Sequence, residues 1–107
     1  MPSTVARPRE KEGQETKGLP PYNVILLDDD AHSFGYVIYM LKTLFGHPLK
    51  RGYRMAVEVH TTGRAIVATT NLEQAELKRE QIHAFGPDPL IPRCKGSMRA
   101  IIEPAPG

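Results

Sequence analysis

The apolar positions of this chain begin abruptly. Residues 1–20 are mostly Pro, Gly, Lys, Arg, Glu, Gln, Ser and Thr, with almost nothing apolar among them. Such a segment buries too little surface to offset its chain entropy. A disordered N-terminal extension is therefore expected there, as an inert leader or as a tether, and Pro20-Pro21 stiffens the way into the fold. At Tyr22 the pattern changes. Val24-Ile25-Leu26-Leu27 is a short apolar run suited to a buried strand, and it ends on three successive carboxylates, Asp28, Asp29 and Asp30.

A helical period follows. Phe34, Val37, Ile38, Leu41, Leu44 and Phe45 recur on one face from Ser33 onward, with Ser33 or Asp30 as cap and Gly46-His47-Pro48 as stop. A second helix is expected from about Leu49 to Val59, with Leu49, Tyr53, Ala56, Val57 and His60 near one face. That places His60 at its C-terminal end, beside the turn Thr61-Thr62-Gly63. Arg64 to Thr70 is rich in small and β-branched residues and reads as a strand. Thr70-Asn71-Leu72-Glu73 has the form of a capping box, and Asn71 serves equally well as the cap. The third helix then runs to about Phe85, with Leu72, Ala75, Ile82 and Phe85 inward and Glu73, Glu76, Lys78, Arg79 and Glu80 outward. Gly86 to Gly96 holds three prolines and two glycines and reads as a long loop. Met98 to Glu103 is the last strand. The order strand, helix, helix, strand, helix, strand predicts an α+β fold: a small three-stranded antiparallel sheet packed against three helices.

Composition narrows the function. With 107 residues and a formal net charge of +2, the chain makes one core domain over 21–107 and offers no general electrostatic case for nucleic acid. A single cysteine, Cys94, excludes an intrachain disulfide and fits a reducing compartment; as a thiol it reads as structural or idle, since no activating partner is evident. No run reaches the length of a membrane span, and the N-terminus lacks the apolar stretch of a secretory signal, so a cytoplasmic location is expected.

The acidic cluster admits three readings. Carboxylates after a first strand begin the magnesium pocket of a receiver domain. That fold also needs alternating strands and helices and an acceptor Asp after a third strand, whereas the next Asp here is Asp88, in a Pro-rich loop. A generic divalent-metal site built from Asp28, Asp30, His32 and His60 competes with the ordinary role of such residues as caps and turn formers. The third reading is a site for an organic ammonium, which presents three donors and needs three acceptors. Carboxylates at one strand end and a neutral imidazole from a facing helix supply them, beside apolar helix faces able to take an attached side chain.

This third reading coincides with a family. The run Val24 to Asp30, the helix Phe34 to Phe45, Val59-His60-Thr61-Thr62-Gly63-Arg64-Ala65, Ala75-Glu76-Leu77-Lys78 and the closing Ile102-Glu103 together resemble ClpS, over residues 21–85 and 98–105. ClpS proteins are adaptors that deliver N-degron substrates to a Clp protease. The resemblance implies a non-enzymatic protein, without metal or cofactor, that binds substrates beginning with Leu, Phe, Tyr or Trp. By position the free α-amino group would be held by Asp28, Asp29 and His60, and the side-chain pocket lined by Phe34, Val37, Ile38, Ala56, Val59 and Ile102. Glu73 and Lys78 match the residues that dock on the N-terminal domain of a ClpA- or ClpC-type AAA+ unfoldase, and residues 1–20 match the family's extension that helps hand over substrate. The alternative is a domain that keeps the fold and the ATPase contact but has lost or altered N-terminal residue recognition.

Four features depart from the family pattern. Asp28 stands for the usual Asn, which sets two carboxylates on one ammonium. His32 and Ser33 replace Thr and Pro. Phe34 replaces a gating Met and Ala56 a wall Met, one adding bulk and the other removing it. The Gly86–Gly96 loop is longer than the family's connection.

Overall fold

The computed structural model describes residues 19–29, 31–92 and 94–106. The expected N-terminal extension falls almost wholly outside the described residues, as does Asp30. The elements are β1 (Tyr22–Leu27), α1 (Phe34–Phe45), α2 (Leu49–Thr62), β2 (Arg64–Thr70), α3 (Leu72–His83) and β3 (Arg99–Pro104). They form the expected α+β architecture. β1 is the central strand of the order β2-β1-β3 and pairs antiparallel with both neighbours. An antiparallel sheet of three strands excludes the doubly wound receiver fold.

β1 is central because it is apolar on both faces. Val24 and Leu26 point to the helices and join Ala65, Val67 and Ala100 of the neighbouring strands in one buried cluster with Tyr36, Val37, Met40, Leu41, Ala56, Val59, Ala75 and Ile82. Ile25, on the other face, is also buried, between its cross-strand partners Ile66 and Ile101. The outer face carries the polar pairs as well: Thr69 Oγ1 donates to Asn23 Oδ1 at 2.7 Å, and Arg64 meets Glu103 at 2.9 Å. The β1–β2 register slips between Val24 and Ile25, which leaves Val67 of β2 as a bulged residue. Its carbonyl accepts from His47 Nε2 at 2.7 Å, so the bulge is pinned from just beyond α1.

The helices are rotated from the expected faces by about one residue. α1 buries Tyr36, Val37, Met40 and Leu41, while Phe34 stays 37% exposed. α2 buries the stripe Gly52, Ala56, Val59, and both Leu49 and Tyr53 are exposed. The reason is close packing. A Cβ on Gly52 would lie 3.5 Å from Ile38 Cγ2, so the smallest residue of α2 marks its line of contact with α1. α3 buries Ala75 and Ile82, and Leu72 is exposed, against expectation, because it begins the helix at the rim. The caps settle both open alternatives: Ser33 Oγ accepts from Tyr36 N, and Asn71 Oδ1 accepts from Gln74 N.

Gly63 terminates α2 at φ 90°, in the left-handed region, and no heavy atom lies within 4 Å of where its Cβ would stand. The cost of a side chain there is conformational alone. Gly63→Ala is expected to lower stability by about 1 kcal/mol, read as a shift of the urea midpoint with an unchanged slope. A midpoint equal to that of the parent would contradict it.

Candidate functional site

The end of β1 and the end of α2 are neighbours because β2 starts immediately after α2 and pairs with β1. Leu27 lies opposite Arg64, and Asp28 N donates to Gly63 O at 3.0 Å. The acidic turn is therefore fastened to the turn that carries His60. Phe34, in the first turn of α1, closes the third side. Its ring meets the His60 ring edge-on at 5.7 Å and the Tyr53 ring at 6.0 Å. Behind this rim, Val37, Ala56 and Val59 lie in the core cluster, and Ile102 of β3, opposite Val24, packs against it. Ile38 is half-buried over Gly52. Asp28 is thus tied to the turn beyond His60, Phe34 meets His60, and Val37, Ala56 and Val59 lie in the core behind them, whereas Ile102, paired with Val24 on the edge strand away from β2, lies four residues along β1 from Asp28 and is not brought to this end.

Asp29 is held firmly. Its Oδ1 accepts from Ala31 N at 2.9 Å and from His32 Nδ1 at 2.7 Å. The other ring nitrogen of His32 lies 2.8 Å from Gly96 O. His32 is only 3% exposed as a side chain, against 34% for Asp29, so the imidazole is the inner member and the carboxylate opens toward solvent.

The loop between α3 and β3 closes this arrangement from the far side. Asp88 is 2% exposed; its Oδ2 accepts from Ser33 N and Ser33 Oγ, each at 2.7 Å, and its Oδ1 accepts from Leu90 N at 2.9 Å. Burial works to raise its pKa, but donation from Ser33 and Leu90, helped by His32, outweighs it and holds the carboxyl below its ordinary range. Ser33 therefore caps α1 while being held by Asp88. Tyr36 donates its hydroxyl to Gly86 O, and burial pushes its phenol up to about 12, so it stays a donor. The Cys94 thiol is buried against Asp88 N and Gly96 O.

Sequence reasoning did not anticipate the roles of His32, Asp88 and Tyr36. Asp88, between two prolines, carried one local signal: an Asx turn onto the backbone two residues on. The structure also locates the two residues expected to dock on the ATPase. Glu73 is exposed in the first turn of α3, but Lys78 donates to Leu44 O at 2.6 Å and lies 5.5 Å from the Phe45 ring centre. Lys78 thus neutralises the C-terminal end of α1 as well as facing outward.

Comparison with known proteins agrees with this fold. Residues 17–90 match the family described as ATP-dependent Clp protease adaptor protein ClpS. The chain is 37% identical over 76 residues to the ATP-dependent Clp protease adapter protein ClpS of Xylella fastidiosa, covering 69% of this chain and 72% of that one. It is 37% identical over 87 residues to that of Thermosynechococcus vestitus, covering 80% and 90%. The match to the Corynebacterium diphtheriae adapter, 30% identical over 66 residues, spans 62% of this chain and 58% of the relative. Among solved structures, Agrobacterium tumefaciens ClpS2 bound to L-phenylalaninamide superposes with a TM-score of 0.69 at 27% identity, over 80% of this chain and 98% of that one. With the fold, the order of the motifs and the family match in agreement, the chain belongs to the ClpS family of adaptors of the ATP-dependent Clp protease.

Proposed function

We propose that this adaptor binds the free N-terminus of substrates that begin with Leu, Phe, Tyr or Trp, and delivers them to a Clp AAA+ protease in the cytoplasm. The observation that carries the reading is the convergence of the Asp28–Asp29 turn, His60 and Phe34 at one end of the α1–α2 layer. An α-amino group is cationic or nearly so at neutral pH. Asp28, Asp29 and His60 give it three acceptors, His60 through the lone pair of the neutral imidazole. The attached side chain enters between Phe34, Val37, Ile38, Ala56 and Val59. L-phenylalaninamide, bound by the Agrobacterium relative, has this chemistry: a free amino group, an aromatic side chain and an amide in place of the next peptide bond.

The ATPase partner is the N-terminal domain of a ClpA- or ClpC-type unfoldase, docked through the α3 surface at Glu73 and Lys78. Because Lys78 also serves as a cap for α1, its removal tests docking only beside a stability measurement. No catalytic role is assigned to any residue.

The side-chain half of the reading is tested by fluorescence anisotropy with peptides that differ only in the first residue. Burying a large apolar side chain is worth about 1.5–3 kcal/mol, so a Phe- or Leu-initiated peptide is expected to bind at least about tenfold more tightly than a Gly-initiated one. Equal affinity for the two would refute it and favour a ClpS-fold interaction domain that has lost N-terminal recognition.

A further inference from the structure

We infer that His32 is a positioning residue of the ammonium clamp, which fixes Asp29 and ties it to the loop between α3 and β3. The inference rests on the reading of Asp29 as an α-amino acceptor. His32 belongs to neither half of the site as described so far, since it touches no proposed substrate atom. Its ring nevertheless has a defined partner on every side. Nδ1 faces Asp29 Oδ1 at 2.7 Å, and Nε2 faces Gly96 O at 2.8 Å, with Cys94 Sγ 3.3 Å away. The Tyr36 ring of α1 lies against it, with centroids 4.6 Å apart. Both ring nitrogens face oxygen acceptors, so both bonds form together only in the imidazolium; a neutral ring has one N–H and keeps one of them.

The consequence for the site is geometric. Asp29 sits on a short turn after β1 and is about one-third exposed. A carboxylate in that position has rotamers open to it, and only some aim an oxygen at a ligand. His32 and Ala31 N together take Oδ1, which leaves the direction of Oδ2 fixed by the plane of the carboxylate. His32 is in turn braced by Gly96, sixty-four residues away in sequence. The long loop therefore acts as an outer support of the clamp, which gives its length and its buried Asp88 and Cys94 a purpose beyond their own packing.

Two substitutions separate the bonds. His32→Asn places an amide nitrogen near the position of Nδ1, able to donate to Asp29 but too short for Gly96. His32→Gln places one near Nε2, able to reach Gly96 but not Asp29. For a Phe-initiated peptide, His32→Asn is expected to bind within about threefold of the parent, while His32→Gln and His32→Ala bind about tenfold more weakly. A purely structural role for His32 as a loop anchor predicts the reverse order. That reverse order, or a folded His32→Ala that binds within about twofold of the parent, overturns the inference. Imidazole 15N shifts of the ligand-free protein read the bond directly: Asp29→Asn is expected to move the Nδ1 resonance of His32, and an unmoved resonance also overturns the inference. Should the unsubstituted protein fail to distinguish a free from an acetylated N-terminus, the parent reading falls and takes this one with it. Loss of the histidine effect while that discrimination persists removes this inference alone.

Discussion

Acetylation of a Phe-initiated peptide is expected to weaken its binding by about a hundredfold or more. The acetyl group removes the positive charge and two of three N–H donors at the atom that the proposed clamp would hold. Charge-assisted hydrogen bonds of this kind are worth about 1.5–3 kcal/mol each, and loss of two leaves carboxylates facing a neutral amide. The protein side gives the matching result. Asp29→Ala and His60→Ala are each expected to cost about ten- to a hundredfold with the free peptide. With the acetylated peptide neither substitution should cost more than a small factor, because the bond each deletes is already gone. Competition anisotropy on the four combinations of peptide and protein yields the coupling. An Asp29→Ala penalty of equal size for both peptides would mean that the residue acts on the fold rather than on the ammonium. The comparison is informative because Asp29, beside its proposed hold on the ammonium, accepts from His32 and Ala31 N.

The part of this site that was legible in the sequence is the part set by local pattern. The run Val24 to Leu27 ending on carboxylates, and His60 at a helix end before Gly63, are short-range features, and the β1–β2 pairing that joins them follows from the order of elements. The helix faces were less legible. Tyr36, Met40 and Gly52 form the actual contact lines, yet a count of strongly apolar side chains passes over a tyrosine with a polar tip and a glycine with no side chain at all. The proline-rich loop was visible as an anomaly, but its purpose was not. Its bonds to the acidic turn join residues fifty-five and sixty-four apart, and no periodicity encodes such a pairing. His32 was visible as a candidate metal ligand and as a departure from the family pattern, but its actual partners required the folded chain.

Loss of Asp88 is expected to be the most costly single change in that loop. The carboxylate is buried and satisfies three donors, Ser33 N, Ser33 Oγ and Leu90 N. Asp88→Ala deletes all three bonds and leaves a backbone N–H at the start of α1 without its acceptor, so a loss of about 3 kcal/mol is expected in urea denaturation near neutral pH. For a domain whose stability is on the order of 5–15 kcal/mol this is a large share. Asp88→Asn separates charge from shape, since it keeps the size and one acceptor oxygen and cannot titrate. The folded carboxyl lies below its ordinary value of 3.8, so the unfolded chain takes up this proton first as pH falls. The stability that Asp88 contributes as a carboxylate is therefore fully present above the ordinary value and is lost as pH falls through the lowered folded value. The gap between the parent and Asp88→Asn should be widest near neutrality and should narrow in acid across that window. A gap that stays constant with pH would show that the charge of Asp88 contributes nothing, and that Ser33 and Leu90 are served as well by a neutral oxygen. A gap that closes as predicted makes the brace of the acidic turn itself acid-labile. Acid would then loosen the support behind the acidic turn through Asp88, and Asp88→Asn removes that dependence.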